Sequence, residues 1–412
     1  MTSVALLHRI TDYANRADPY PLYAELRKTP VVQDEAGPYV VSTYWEIKEL
    51  LHDPRISSDA RNLSPDAPRG PAQEEDPNLP PTFLRLDPPE HDRLRGLANR
   101  PFGPPHTPRR VHDMRSELGE IVSGLIDGFR DREGGDGIDL VDTFAYPFPV
   151  TVICRLLGVP REDEAHFHQW ADTIAASLDP VSAEDREARA ETTRQARSDL
   201  ALYLAGLIEE RRKSPRDDML SAMAAGHGPD GQLSPVEMIS TAALLLIAGH
   251  ETTVNLITNG MLTLLRNPDV LKRLRDDPDL AVPLVEELLR YEPPVQLLPQ
   301  RTTLTDIEIG GTVIPKGASL WLVLASGNRD PQRFPDPDRF IPNRPDNQHL
   351  GLGSGIHSCF GAPLARLEAQ LALTELVRRL DNPRLLEDPP VYRQNAVLRG
   401  PRHLNIAFDG LK

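Results

Sequence analysis

Cysteine is nearly absent, with only Cys154 and Cys359 among 412 residues. Two thiols cannot build a disulfide framework or a four-cysteine metal site. Cys154 lies in the apolar segment V-T-V-I-C-R-L-L-G-V and reads as core. Long hydrophobic runs are also missing. Nothing approaches the ~18 apolar residues that a membrane-crossing helix needs. The first thirty residues already carry His8, Arg9, Asp12, Arg16 and Asp18, so no secretory leader is expected. The expectation is a cytoplasmic protein with no membrane partner. Positive charge is in deficit, and a net charge of -15 argues against a general nucleic-acid binder, although local basic patches can coexist with an acidic total. No internal repeat is found. Proline is in excess, at 41 residues against a usual share of about 5%. It is scattered rather than clustered, which predicts many defined turns.

With 39% apolar residues the chain can bury a substantial core. Its periodicity is mainly helical. Helices are predicted at 18–28 and 43–52, then from about Glu90, and over 109–130, 142–157, 162–178, 183–212 and 217–225. The longest pattern runs from Ser234 to Arg266 and opens S-P-V-E, a capping box with proline in the first turn. Its middle, T-A-A-L-L-L-I-A-G-H-E-T-T, is apolar on nearly every side, which predicts a buried helix. Shorter helices follow at 268–276 and 281–291, and a last one runs to about Leu380. Alternating residues and turn glycines predict strands in 31–42, with a turn at Glu35 to Pro38, and in 296–325. Residues 55–81, rich in Pro, Asp and Ser, predict a long loop of the kind that often covers a site. The fold class is therefore mainly α with small β-sheets, an α+β protein whose 412 residues could make one large or two modest domains.

Three strings break the pattern of a plain helical core. H-L-G-L-G-S-G-I-H-S-C-F-G-A-P-L-A-R sets Cys359 between Gly351, Gly353 and Gly355 on one side and Gly361 on the other, just before a helix. Glycines let backbone lie against a broad ligand, and helix N-terminal amides stabilise a thiolate. A-G-H-E-T-T puts Gly249, Glu251 and Thr252 where apolar residues belong. A helix-interior glycine costs ~1 kcal/mol and an unpaired buried carboxylate more, so function is the simpler account, and a local opening of the helix at such a site can admit a small ligand. E-x-x-R occurs from Glu90, Glu191, Glu209, Glu287 and Glu375, so the spacing alone selects nothing. Only Glu287 and Arg290 stand in the setting E-E-L-L-R-Y-E-P-P-V, ahead of N-R-D-P and F-P-D-P-D-R-F. On the helix from Glu90, His91 and Arg95 fall four apart on one face.

Taken in order, these strings resemble the cytochrome P450 family over nearly the whole chain. The cysteine string resembles F-x-x-G-x-[HR]-x-C-x-G, except that Leu352 stands where phenylalanine is usual. The helix string resembles [AG]-G-x-[DE]-T-[TS]. The resemblance implies the P450 fold, a haem b held by the Cys359 thiolate, Gly361 beside it, and propionates bound by His91, Arg95, Arg301 and His357. It implies that Ala248 and Gly249 border the oxygen site, that Thr252 hydrogen-bonds dioxygen and that Glu251 delivers protons. Glu287 and Arg290 would lock structurally to an arginine of the later loop, taken as Arg339. Phe83, Leu84, Leu244, Ile247, Val295 and Leu298 would line the substrate pocket, an apolar set suited to a small molecule.

The implied activity is a monooxygenase that uses O2 and electrons from a ferredoxin or flavodoxin with its NAD(P)H reductase, because too little chain follows Arg366 for a reductase. Arg93, Arg100, Arg109 and Arg110 are expected to offer the ferredoxin a basic patch. A peroxide-driven peroxygenase is the nearest alternative, and the Glu251–Thr252 pair argues against it. A non-catalytic haem-binding recruitment or sensor protein is the second. A zinc or redox protein built on Cys359 lacks a second thiol.

Overall fold

The computed structural model describes residues 9–33, 37–67, 80–103, 107, 109–130, 137–176, 186–225 and 231–412. The expected turn at Glu35 to Pro38 and the centre of the loop over 55–81 fall largely outside them. The chain divides into two compact units, Met1–Gln73 with Val122–Ala145 and Thr252–Lys412, and Glu74–Ile121 with Tyr146–Glu251.

The first unit holds a mixed five-stranded sheet in the order Val31–Gln33, Tyr39–Val41, Ser319–Leu322, Leu298–Thr303, Ile56–Ser57. Tyr39–Val41 runs parallel to Ser319–Leu322, and the other neighbours are antiparallel. The register shifts between Pro299 and Arg301, an irregularity of the kind that re-aims a side chain at a sheet edge or site. Val41, Ile314, Leu320 and Leu322 pack with Tyr44, Ile47 and Leu50 of the helix Tyr44–His52, and with Phe334 and Leu350.

The helix Ala281–Tyr291 anchors the irregular chain that leads to the cysteine. Glu287 and Arg290 are both fully buried, and Arg290 donates to the carboxylate through two nitrogens at 2.8 Å each. The loop arginine that completes the lock is Arg344, whose Nε lies 3.1 and 3.2 Å from the two Glu287 oxygens. Arg339, expected in that role, has an exposed side chain and contributes its backbone carbonyl, which accepts from Arg290 and Arg344. The reason is local geometry: the carbonyls of Pro335, Asp336 and Arg339 curl around the Arg344 guanidinium, which only an inward side chain can fill. Ile341 N at 2.9 Å and Asn347 Nδ2 at 3.3 Å also donate to Glu287. A buried carboxylate this fully paired offsets its desolvation.

The second unit is helical. It contains Glu90–Asn99, Pro147–Leu157, Glu164–Ala176, Arg186–Lys213 and Met219–Ala225, and it includes the first part of the helix Pro235–Arg266. The predicted capping box is formed, with Ser234 N donating to Glu237 at 2.7 Å and Glu237 N to Ser234 Oγ at 3.3 Å. Cys154 is fully buried, as its apolar neighbours implied, and burial pushes its thiol well above the ordinary range. Two predicted helices are broken. The segment 109–130 splits into Arg110–Asp113 and Arg115–Asp127, and 142–157 begins as a π-turn, Val141–Ala145, before Pro147 starts a regular helix. Proline lacks the N–H that would have joined the two.

Because Arg339 contributes backbone only, Arg339→Ala should change unfolding free energy by no more than about 0.5 kcal/mol. Arg344→Ala leaves part of a buried charge unpaired and should cost ~3–5 kcal/mol. Denaturant unfolding of the two variants measures the contrast, and equal losses would restore Arg339 as the partner.

Candidate active site

Cys359 is exposed and follows a single 3-10 turn, Gly355–His357, three residues ahead of the helix Ala362–Arg379. Its amide donates to the Leu352 carbonyl at 2.8 Å, and Ser358 N donates to Gly355 O at 3.1 Å. Loop closure therefore uses the backbone of residue 352, which is why leucine in place of phenylalanine leaves it intact. Two glycines bring this loop against its supports. A Cβ at Gly351 would sit 2.1 Å from the carbonyl oxygen of Leu289, and one at Gly355, whose φ is +70°, would sit 2.1 Å from that of Leu51. Neither position admits a side chain. Ser354 Oγ lies 2.7 Å from His52 Nε2, and Leu350 N donates to Asn328 Oδ1 at 2.7 Å. Among the described residues, a Cβ added at Gly361 would meet nothing within 4 Å.

The same unit carries some of the residues expected to meet a haem. Arg301 stands just past the strand irregularity with 9% of its surface exposed, and His357 is half-buried in the 3-10 turn. Val295 and Leu298 are half-buried in and beside the same strand. Thr252, half-buried, begins this unit's part of the long helix.

In the second unit His91 is buried on the helix Glu90–Asn99, its Nδ1 paired with Asp92 at 2.7 Å. Arg95 is half-buried, with its guanidinium 5.8 Å from the Phe83 ring centre. Phe83 is buried and its neighbour Leu84 exposed. On the long helix Leu244, Ile247 and Gly249 are half-buried, Ala248 is exposed and Glu251 is buried. The helix runs uninterrupted from Pro235 to Arg266, and any local opening at Gly249 does not break it. Among the described residues, a Cβ at Gly249 would meet Ile153 Cδ1 at 3.8 Å, an ordinary van der Waals contact. His250, between Gly249 and Glu251, packs edge-on against Tyr146 with ring centres 4.5 Å apart.

The expected basic patch is largely neutralised. Arg93 pairs with Glu90 and Glu237, Arg110 with Asp217 at 2.8 Å, and Arg109 lies 3.7 Å from Asp113. Acidic residues three or four places away on a helix, and the carboxylate of the capping box, supply the counter-charges that a count of arginines overlooks.

Residues that the sequence reading did not single out also hold the cysteine loop. Glu286 accepts from Arg366 Nε at 2.6 Å and pairs with His349 Nε2 at 3.1 Å. Burial would raise its pKa, yet these two partners hold its carboxyl down at about 2. The signal was present as the tandem E-E that opens the Glu287 string.

The donor set fits a haem. An exposed thiol on a glycine-pinned loop ahead of a helix suits an iron ligand, and half-buried arginine and histidine suit anionic propionates. Known proteins agree. The family described as cytochrome P450 matches residues 136–408. The chain is 41% identical to the cytochrome P450 monooxygenase PikC of Streptomyces venezuelae, over 95% of its own length and 91% of that protein's. It is 40% identical to the vitamin D(3) 25-hydroxylase of Pseudonocardia autotrophica, covering 93% and 92%. Its fold matches the ligand-free crystal structure of Mycobacterium smegmatis CYP164A2 with a TM-score of 0.86, at 40% identity and 98% and 100% coverage. The chain belongs to the cytochrome P450 family, as a haem-thiolate monooxygenase that uses O2 and electrons from separate redox partners to oxidise a small organic substrate.

Proposed function

We propose that Cys359 is the thiolate ligand of a haem b and that Glu251 and Thr252 would manage its protons and oxygen. The observation that carries this reading is the exposed Cys359 thiol on a backbone that two glycines and the Leu352 carbonyl hold in one place. Arg301 and His357 in the first unit, and His91 and Arg95 in the second, would neutralise the propionates, which are otherwise expensive to bury. Gly361 would leave room beside the sulfur. Glu287 and Arg290 serve structurally, with Arg344.

When bound, the haem activates oxygen, aided by electron donation from its thiolate. The chain's own work is positional. Ala248 and Gly249 would give the oxygen site a face without bulk, Thr252 would hold a hydrogen bond through its hydroxyl, and the Glu251 carboxyl would pass protons inward from solvent. Phe83, Leu84, Leu244, Ile247, Val295 and Leu298 would present apolar surface to the substrate. A relative named for vitamin D(3) supports a largely apolar substrate here as well. The electron donor is taken to be a ferredoxin or flavodoxin with its NAD(P)H reductase, in the cytoplasm, whose reducing poise keeps a lone exposed thiol such as Cys359 reduced. All of these roles belong to one haem domain spanning 1–412.

Cys359→Ser should remove the thiolate-type spectrum of the reduced, carbon-monoxide-bound protein while leaving it folded, because a neutral hydroxyl cannot donate the sulfur's charge. An unchanged spectrum would eliminate Cys359 as ligand.

Thr252→Ala should keep NADH consumption but divert oxygen to hydrogen peroxide, and Glu251→Gln should slow turnover about 10²-fold with a larger solvent isotope effect. Product and peroxide per NADH, measured on any substrate found by a spin-shift screen, test both. Wild-type coupling and rate in both variants would sink the assignment.

A further inference from the structure

Tyr23 places a hydroxyl where packing needs none. It lies fully buried in an apolar cluster with Leu22, Leu26, Val40, Leu297 and Val323. Its hydroxyl donates at 3.0 Å to Oε1 of Gln296, which is fully buried as well. Burial pushes the Tyr23 phenol above its ordinary range, so it keeps the proton that it donates. A phenylalanine and an apolar side chain of glutamine's length would fill the same space without desolvating two polar groups. What the pair adds is direction. Apolar contact is non-directional, whereas a buried hydrogen bond fixes distance and orientation together.

Gln296 uses that direction to hold a crossing of segments. Its Nε2 donates to Pro293 O at 2.6 Å, its amide donates to Val397 O at 2.8 Å, and its carbonyl accepts from Ala325 N at 3.2 Å. Arg399 N donates to Pro294 O at 2.8 Å, so residues 294–296 run beside 397–399 and Val295 stands opposite Leu398. Leu297 packs inward with Tyr23, while Val295 and Leu298 lie half-buried at the margin of a second cluster, the one around Tyr44, Ile47 and Leu320. The run 295–298 thus passes between two apolar clusters whose packing alone sets no register, and the helix Tyr20–Leu26 reaches it through this hydrogen bond.

We propose that Tyr23 and Gln296 are positioning residues for the substrate site: their hydrogen bond sets where Val295 and Leu298 stand, so a helix near the N-terminus helps decide which substrate shapes the enzyme accepts. This rests on the reading of Val295 and Leu298 as residues that face the substrate.

The test is ligand binding to the holoenzyme, read by the shift in haem absorption, with two nitrogen ligands of the iron. Imidazole fills little space beyond its own ring, and phenylimidazole presses a second ring on the surrounding wall. Tyr23→Phe, Gln296→Met and the double variant should each weaken phenylimidazole binding about 10-fold, the scale of one misplaced methylene in an apolar pocket, and leave imidazole binding unchanged. Urea unfolding is measured on the same proteins. Tyr23→Phe leaves the buried Gln296 oxygen unmet and should lower the midpoint, and the double variant should recover part of that loss while its phenylimidazole affinity stays weak. A role confined to supporting the fold would move affinity and stability together. Equal weakening of both ligands, no weakening of either, or affinity that returns with stability in the double variant would overturn the proposal. Val295→Phe separates failure of the underlying reading: unchanged phenylimidazole binding there shows that residue 295 does not face the ligand, and the proposal falls with it. A changed affinity in Val295→Phe beside wild-type binding in Tyr23→Phe removes the role of the hydrogen bond alone.

Discussion

A carboxylate with no solvent exposure is the constraint on which the cysteine's surroundings depend. Removing Glu287 from water is costly unless its lone pairs are met, and two arginines, one backbone amide and one asparagine meet them. Those donors come from the helix Ala281–Tyr291 and from residues 341–347, so satisfying the charge folds an irregular, proline-rich stretch onto a helix. The arrangement then continues toward the sulfur. Arg290 donates to Asn328 O at 2.9 Å, and Asn328 turns its amide both to the Leu289 carbonyl and to Leu350 N, one residue before Gly351 packs on Leu289. Apolar residues of equal volume can make as stable a core. They would not fix where Leu350 begins the loop.

The tandem glutamates divide two tasks by their position on one helix. Successive residues on an α-helix point about 100° apart. Glu287 therefore faces the dry interior while Glu286 lies at its margin, where a partly exposed carboxylate meets His349 and Arg366. One turn of helix thus supports both the approach to the cysteine and the loop that carries it.

Helical periodicity made most of the second unit legible, because amphipathic spacing and capping residues are local signals. Pro235–Arg266, its capping box and the buried Cys154 follow directly from such signals. The parallel pairing of Tyr39–Val41 with Ser319–Leu322 was not legible, since it joins residues some 280 positions apart that no local pattern links. Arg339 and Arg344 illustrate the same limit at the site. Both lie in a loop of prolines and aspartates, and the spacing indicates that an arginine is available without saying which one points inward. The arginines near the helix Glu90–Asn99 looked like a patch because two of their carboxylate partners come from far along the chain, Glu237 on the long helix and Asp217 between two others.

The long helix and the cysteine loop are made rigid by opposite means. The long helix runs uninterrupted through Gly249, Glu251 and Thr252, so the polar groups there ride on a continuous scaffold and their directions are set by helical phase. The cysteine loop has no such ladder. Its backbone is irregular from Gly351 to Gly361, and its rigidity comes from close approaches that only glycine permits, from the amide of Cys359 on the Leu352 carbonyl, and from side chains of neighbouring elements. A helix tolerates a changed side chain while preserving the others, whereas a loop held by backbone contact transmits a change at one glycine to the whole run. The sulfur's position is therefore the more fragile of the two, and it is there that Asn328, His52 and Glu286 all converge.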